Sequence, residues 1–581
     1  MLGEDTQDIE TSEPEDKLWA WLDNAAMESA RVRRDEAQFD RFNEFIDIYQ
    51  GKHWPTIMPS FKPPIVINEL RTLILSEASD LSETQPRIFI TKDPRKQGRD
   101  EQAERALRAV WVKNQIDLKL TQACLWALIV GTGFLDVSFD PELENGYGDV
   151  VVECRDPRTV LPDPDAVDDR RWMFRITETV LDIIEIKRLF PVHGHKVKPE
   201  DKYSTRSGSN ANPEGAQTDS YRGPLYENST SGGDKPVGYK KARSRVLDCI
   251  LQCDETEKDV EESKNQQGEP ILDPITKAPK MVEKVKLKYP NGRRIVGANG
   301  IILFDGPNPN PTLNPSRPDF GLIRVILEPS LDRFWSSGFV QQTAELQVAA
   351  DKLMSSVVEN ATRLNNGFII AEGNTGLDFE SFASIPGQIL QINQGSKVEI
   401  KYPPPMPTDM IQAPWRMLDL QKRLLGFQEA RAGQASRGNV SAELTETEIS
   451  QSQSTTRLRS RMLYHTVQRL AEMIFARMAY GYTTKRSIPV VEGESYKPVD
   501  WIPLERPQDY SVYVDPASFT IMSRTLLKRL GTALYKLRAI DRRSLLESIS
   551  WPDWEQVSGR LDAAEAAAAK AKAMSGKGGK K

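Results

Sequence analysis

The stretch Trp335–Asn366 (WSSGFVQQTAELQVAADKLMSSVVENATRLNN) constrains the fold more than any other part of the chain. After Gly338 it holds neither Gly nor Pro until Gly367. Leu346, Ala349, Leu353, Val357, Ala361 and Leu364 recur in steps of three or four, the period of one helix face. Ser336 and Ser337 suit a helix start, and Asn365, Asn366 and Gly367 suit an end. Such a helix is on the order of 40 Å long. Its other face is polar, with Gln347, Lys352, Ser355 and Glu359. Two readings are open at this point. The helix packs its stripe into one ordinary core, or it stands as a pillar against copies of itself with its polar face toward a water-filled channel.

A chain of 581 residues exceeds one ordinary core, so roughly two to four domains are expected. Hydrophobic residues make up 39% and charged residues 28%, which is globular and on the polar side. A net charge of −6 excludes a polycation, so any nucleic-acid contact is local or weak. The cysteines Cys124, Cys154, Cys249 and Cys253 form no CxxC pair and fit a reducing compartment. The acidic start MLGEDTQDIETSEPED has no apolar core of a signal peptide. The longest apolar run, Ala123–Leu135, falls short of the about 20 residues that span a bilayer. A soluble intracellular protein with no membrane partner is expected.

The pattern predicts a disordered tail over 1–16, then helix from Leu18 to about Tyr49, stopped by Gly51. Helices are expected over Asn68–Leu81, Arg99–Lys113 and Ile116–Val130, with a strand over Pro86–Thr91. Gly131-Thr132-Gly133 reads as a helix stop before a hairpin, Phe134–Phe139 with Asp149–Cys154. Thr177–Phe190 reads as a helix, 202–241 as a long mobile loop, and 241–322 as β-rich. Past the long helix come short strands, then helix over Asp409–Phe427, the Gly-rich run Gln428–Ala442, and a long helix over Glu443–Tyr480. The chain ends in helices (Ser523–Leu537, Asp541–Ile549, Trp554–Ala573) and a basic tail. The fold class is α+β, predominantly helical.

A search for chemistry returns nothing above background. No GxxxxGK[ST] phosphate loop and no GxSxG elbow occurs. The pair His193–His195 has no third ligand near it. Asp163-Pro164-Asp165 with Asp168 and Asp169 suits a turn better than a cation loop. No catalytic residue, no metal ligand and no cofactor is assigned, and the length is read as architecture.

The order of features resembles the portal proteins of tailed bacteriophages, most nearly the larger portals of short-tailed phages. The carrying residues are Phe42, Tyr49-Gln50-Gly51-Lys52-His53-Trp54, Asn68, Gln85-Pro86, Asp100-Glu101-Gln102-Ala103-Glu104, Gly131-Thr132-Gly133, Asp156-Pro157, Asp163-Pro164, and the Gly-rich interruption near Gly433. The resemblance implies a structural, non-enzymatic subunit of a ring, usually of about twelve copies related by rotation. That ring forms the channel at one capsid vertex through which double-stranded DNA is packaged and ejected. Partners implied are the major capsid protein, the terminase packaging ATPase, head-tail adaptor or tail proteins, and DNA held non-specifically. The location implied is the virion, with assembly in the host cytoplasm.

Family anatomy has wing, helical stem, strand-built clip, tunnel loop and helical crown. By position, 1–30 is acidic tail and first helix, 31–175 and 367–522 are wing, and 176–240 holds a candidate stem helix and mobile loop. Residues 241–322 are the expected clip, 330–366 a stem helix, 428–442 the tunnel loop, and 523–581 crown and basic tail. Arg431 and Arg437 in the tunnel loop are the candidate DNA contacts, and capping or bridging of neighbouring helices is the equal alternative for them. Two other classes stay open: a nucleic-acid-processing enzyme of a packaging machine, and a coat or scaffold protein.

Overall fold

The computed structural model describes residues 14–548, 557–561 and 564, apart from 38, 55–63, 83–85, 93–97, 170, 201–241, 263–280, 314–317, 366–367, 373–392, 396, 402–404, 428–453, 493–494, 517–530 and 538. The N-terminal part is built on helices α1 (Pro14–Ala37), α2 (Phe42–Gln50), α3 (Glu69–Ser82), α4 (Glu101–Lys113) and α5 (Ile116–Val130). Residues 14–16, expected in a disordered tail, already belong to α1. Asp100 caps α4 by accepting from the Ala103 amide at 3.0 Å, satisfying a donor that has no partner within the helix. Gly131 ends α5 with φ +96, and a Cβ there would lie 1.9 Å from the Ser336 carbonyl oxygen. The helix stop read in the sequence is thus also the seat on which the segment before the long helix rests. The Thr132 hydroxyl accepts from the Ser336 amide at 3.2 Å.

The main core gathers α2 to α5 around a three-stranded antiparallel sheet, β11 (Leu322–Val325), β2 (Gly133–Asp140) and β3 (Asp149–Arg155), in that order. Phe134 of β2 meets Trp335 at 5.7 Å between ring centroids, and Trp335 meets Phe334 at 5.5 Å. Edge-to-face rings of this kind fix the chain just ahead of the long helix.

A second sheet has the order β10 (Ile301–Pro307), β9 (Arg293–Ala298), β6 (Arg243–Leu251), β5 (Phe174–Asp182), β4 (Val160–Pro162), all antiparallel. Successive β6 residues point to opposite faces. Leu247 and Cys249 join Leu22 and Ala26 of α1, while Val246 joins Ile183 and Ile186 of α6 (Ile183–Leu189).

One expectation fails here. Thr177–Phe190 is not one helix: it is the strand β5 through Asp182, then the short α6. Ile176, Thr177, Thr179 and Val180 are β-branched and sit pleated against β6, which outweighs the helical spacing. The boundaries at 175/176 and 240/241 also cut through this sheet, because Phe174–Asp182 pairs residue for residue with Arg243–Leu251. Three strands of 241–322, β6, β9 and β10, thus share one sheet with β4 and β5. Among the described residues of this span, the hairpin β7 (Thr256–Glu262) with β8 (Met281–Leu287) stands outside the sheet.

The long helix α7 spans Phe339–Asn365. Ser336 does not cap it: its hydroxyl donates to the Glu328 carbonyl. The ribbon β12 (Phe368–Glu372) with β13 (Lys397–Lys401) follows, then α8 (Thr408–Leu424) and α9 (Ser454–Gly481). The hairpin β14 (Arg486–Glu492) with β15 (Ser495–Trp501) leads to β16 (Tyr510–Val514), which pairs with β1 (Ile88–Lys92), strands far apart in sequence. Gln468 of α9 protects the free edge of β16. It donates to the Val512 carbonyl and accepts from the Val514 amide, each at 2.7 Å.

Candidate functional site

The long helix carries a polar row at every fourth position: Thr343, Gln347, Asp351 and Ser355. Such residues stack on one helix face. All four are buried, at 1%, 0%, 0% and 4% exposure, so this face turns into protein and not to water. What it meets is the extended backbone after α2 and the start of α3. Gln347 donates to the Ile67 carbonyl at 2.7 Å and accepts from the Leu70 amide at 3.3 Å. Asp351 accepts from the Ile67 amide at 2.9 Å, and Ser355 from the Ile65 amide at 3.2 Å. Four backbone groups that no sheet or helix ladder serves are satisfied by side chains of α7. Of the polar-face candidates, Gln347 and Ser355 are buried in this clamp. Lys352 is exposed and Glu359 half-buried.

Asp351 also holds His53, which lies just past the end of α2. His53 Nδ1 makes a short bond to Asp351 Oδ2, and Nε2 lies 2.8 Å from the Ile48 carbonyl. The Ile48 carbonyl and an ionised Asp351 only accept, so this geometry favours protons on both ring nitrogens, the imidazolium form. Burial opposes this charge, but the Asp351 and Ile48 bonds outweigh it and hold the His53 pKa above its ordinary value. A raised pKa means the stabilisation is complete below the unfolded value of about 6.5 and is lost as pH rises through the folded value. Urea midpoints of the wild type are expected to fall as pH rises above about 6.5, with a shallower slope in His53→Gln. An equal slope in the variant would assign the effect to other groups.

α8 lies antiparallel along α7. Gln421 Nε2 is 3.3 Å from Thr343 Oγ1, and Phe339 meets Phe427 edge-to-face at 6.3 Å. Of the expected stripe, Leu346, Ala349, Leu353, Val357 and Leu364 are half-buried, and Ala361 is exposed. The ribbon β12–β13 joins the far ends of this helix pair.

At the other end Arg459 of α9 ties the elements. It donates to Glu77 at 3.1 Å and to Glu328 at 2.7 Å, and its guanidinium lies 4.5 Å from the Phe339 ring centroid. Gly426 closes α8 with φ +81, and a Cβ there would lie 2.6 Å from Thr455 Oγ1. The two ends of the span 428–453 therefore meet. Arg431, Arg437 and the whole expected tunnel loop lie outside the described residues.

Neither motif weighed for metal gains support from the geometry. Asp163 accepts from the Met173 amide at 2.9 Å, and Asp169 pairs with Arg469. Among the described residues no group of three or more His, Cys, Asp or Glu gathers as a metal site. The clamp residues not among the sequence's site candidates are Thr343, Asp351 and His53. The period-four polar row was visible as a signal, but nothing in one sequence says which face of a helix meets backbone.

A helix pair joined by a ribbon and set on a clamp of long-range contacts is an architectural device. Residues 24–519 match the family model described as Phage P22-like portal protein. The chain belongs to this family. No curated protein matches it. It is a structural portal protein of the phage virion, placed at the capsid vertex where DNA is packaged and ejected. Portal subunits assemble into a ring and engage capsid, packaging and tail components. Among the described residues no helix is long and apolar enough to cross a membrane.

Proposed function

We propose that α7 and α8 form the helical stem of each portal subunit, and that the span between them, beginning and ending in β12 and β13, is the strand-built clip. The observation that carries this is the antiparallel α7–α8 pair with a ribbon at its far end. On this reading 241–322 belongs to the wing, since β6, β9 and β10 share a sheet with β4 and β5. The joined ends at Gly426 and Thr455 support 428–453 as the tunnel loop, a loop whose feet close at the top of the stem. Residues 523–581 are assigned to the crown. About twelve copies close by rotation into the ring. The major capsid protein holds the wing, the terminase packaging ATPase docks below during filling, and head-tail adaptor or tail proteins follow it.

A passage for DNA must not grip it, because each neutralised phosphate releases counterions and adds affinity. A chain of net charge −6 suits such a passage. A few arginines on a loop touch the duplex without holding it, and Arg431 and Arg437 are assigned this role. The variant Arg431→Ala with Arg437→Ala is expected to form normal rings but to package or retain less DNA. Normal packaging and retention in that variant would assign these arginines to helix bridging. The reading as a whole is tested by negative-stain imaging: a ring with a central hole supports it, and a monodisperse monomer at high concentration overturns it.

A further inference from the structure

We propose that α8 joins neighbouring subunits through two opposite apolar flanks, each meeting a second copy of this chain; this rests on the ring reading above. Pro414, Leu418 and Gln421 of α8, with Leu425 just beyond its end, form the buried side. Ile411 and Trp415 are nevertheless 44% and 54% exposed, and Leu420 and Leu424 are 47% and 58% exposed. Leu420 follows Ile411, and Leu424 follows Trp415, by nine residues. At about 3.6 residues per turn that is about two and a half turns, so the two pairs project from opposite sides of the helix.

The face remaining between them is polar and exposed, with Gln412, Arg416, Asp419 and Arg423. The helix thus has four sides: one against its own subunit, one to water, and two apolar sides between. Large exposed apolar residues grouped in this way mark contact surfaces. A two-fold dimer would set one flank against itself and leave the other bare. A ring needs each subunit to show one surface to the next copy and a different surface to the previous one. Two distinct flanks on opposite sides of one helix meet that need. They are offset along the axis by about 13 Å at about 1.5 Å per residue. That offset suits helices inclined to the ring axis, where the Ile411–Trp415 half of one meets the Leu420–Leu424 half of its neighbour.

The test uses the full chain as wild type, Trp415→Asp, Leu424→Asp, and Asp419→Ser on the polar face, followed by light scattering and negative stain. Wild type and Asp419→Ser are expected as rings, and each flank variant alone as monomer. Each flank variant keeps one sound flank, so a mixture of the two at high concentration is expected to stop at dimers. Rings from either flank variant would overturn the assignment, as would a mixture that stays monomeric. A wild type that forms no ring would instead sink the underlying ring reading. Circular dichroism checks the fold of each variant, and Trp415→Gln replaces Trp415→Asp if that chain does not fold.

Discussion

Asp351→Ala is expected to destabilise the subunit by about 3–5 kcal/mol, the range for removing one partner of a buried ion pair. The size follows from what is stranded. His53 and Asp351 have side chains at 0% and 1% exposure, so water does not replace the lost carboxylate. The imidazolium would then lose its counter-charge, and the Ile67 amide its acceptor. Asp351→Asn keeps an acceptor for Ile67 but not the charge, and is expected to fall between alanine and wild type. His53→Leu with Asp351→Leu is expected to cost less than Asp351→Ala, because removing both charges leaves neither buried alone. Urea unfolding followed by tryptophan fluorescence gives the comparison. A loss within about 0.5 kcal/mol, typical of a surface substitution, would show that the clamp contributes nothing to stability.

The same residues show why the sequence was only partly readable. Helices α3, α4, α5 and the β2–β3 hairpin were legible because their signals are local: an Asp100 cap, a Gly131 stop, an alternation over Asp136–Asp140. The length of α7 was legible for the same reason. Its orientation was not. A period-four polar row on a helix looks like a wetted face, and here it is dry because Gln347, Asp351 and Ser355 bind backbone nearly three hundred residues away in sequence. The β5–β6 pairing was hidden for a related reason: it joins strands across the span 201–241, so no local signal sets Thr177 opposite Asp248. Family order, in contrast, is carried by many weak motifs in sequence, and the match over residues 24–519 agrees with it. What the order did not fix was the packing of α8, which lies back along α7.

Arg477→Met is the other substitution expected to cost heavily, by about 3 kcal/mol or more, from several buried acceptors each worth about 1–3 kcal/mol when stranded. Arg477 lies in α9 and is fully buried. Its Nη1 donates to the Pro311 carbonyl and to Asp319 at 3.0 Å, and its Nε lies 3.4 Å from the Val137 carbonyl. One side chain thus holds α9, the turn before β11, and strand β2. Met conserves the bulk, so packing alone predicts little change. The loss comes from Asp319 and two carbonyls that keep their burial and lose their donor. Asp319 retains the Gly321 amide at 2.9 Å, which limits the damage on that side. Arg477→Lys keeps one charge without the planar fork, and is expected to restore the Asp319 contact but not all three bonds. A double-mutant cycle with Asp319→Asn reads the pair directly: coupling near zero would place the whole effect on the carbonyls. Because α9 begins at Ser454, directly after the span 428–453, a weakened Arg477 anchor also tests whether α9 keeps its seat against β2. Rings that still close while the subunit unfolds at lower urea would separate the stability of the seat from the assembly of the channel.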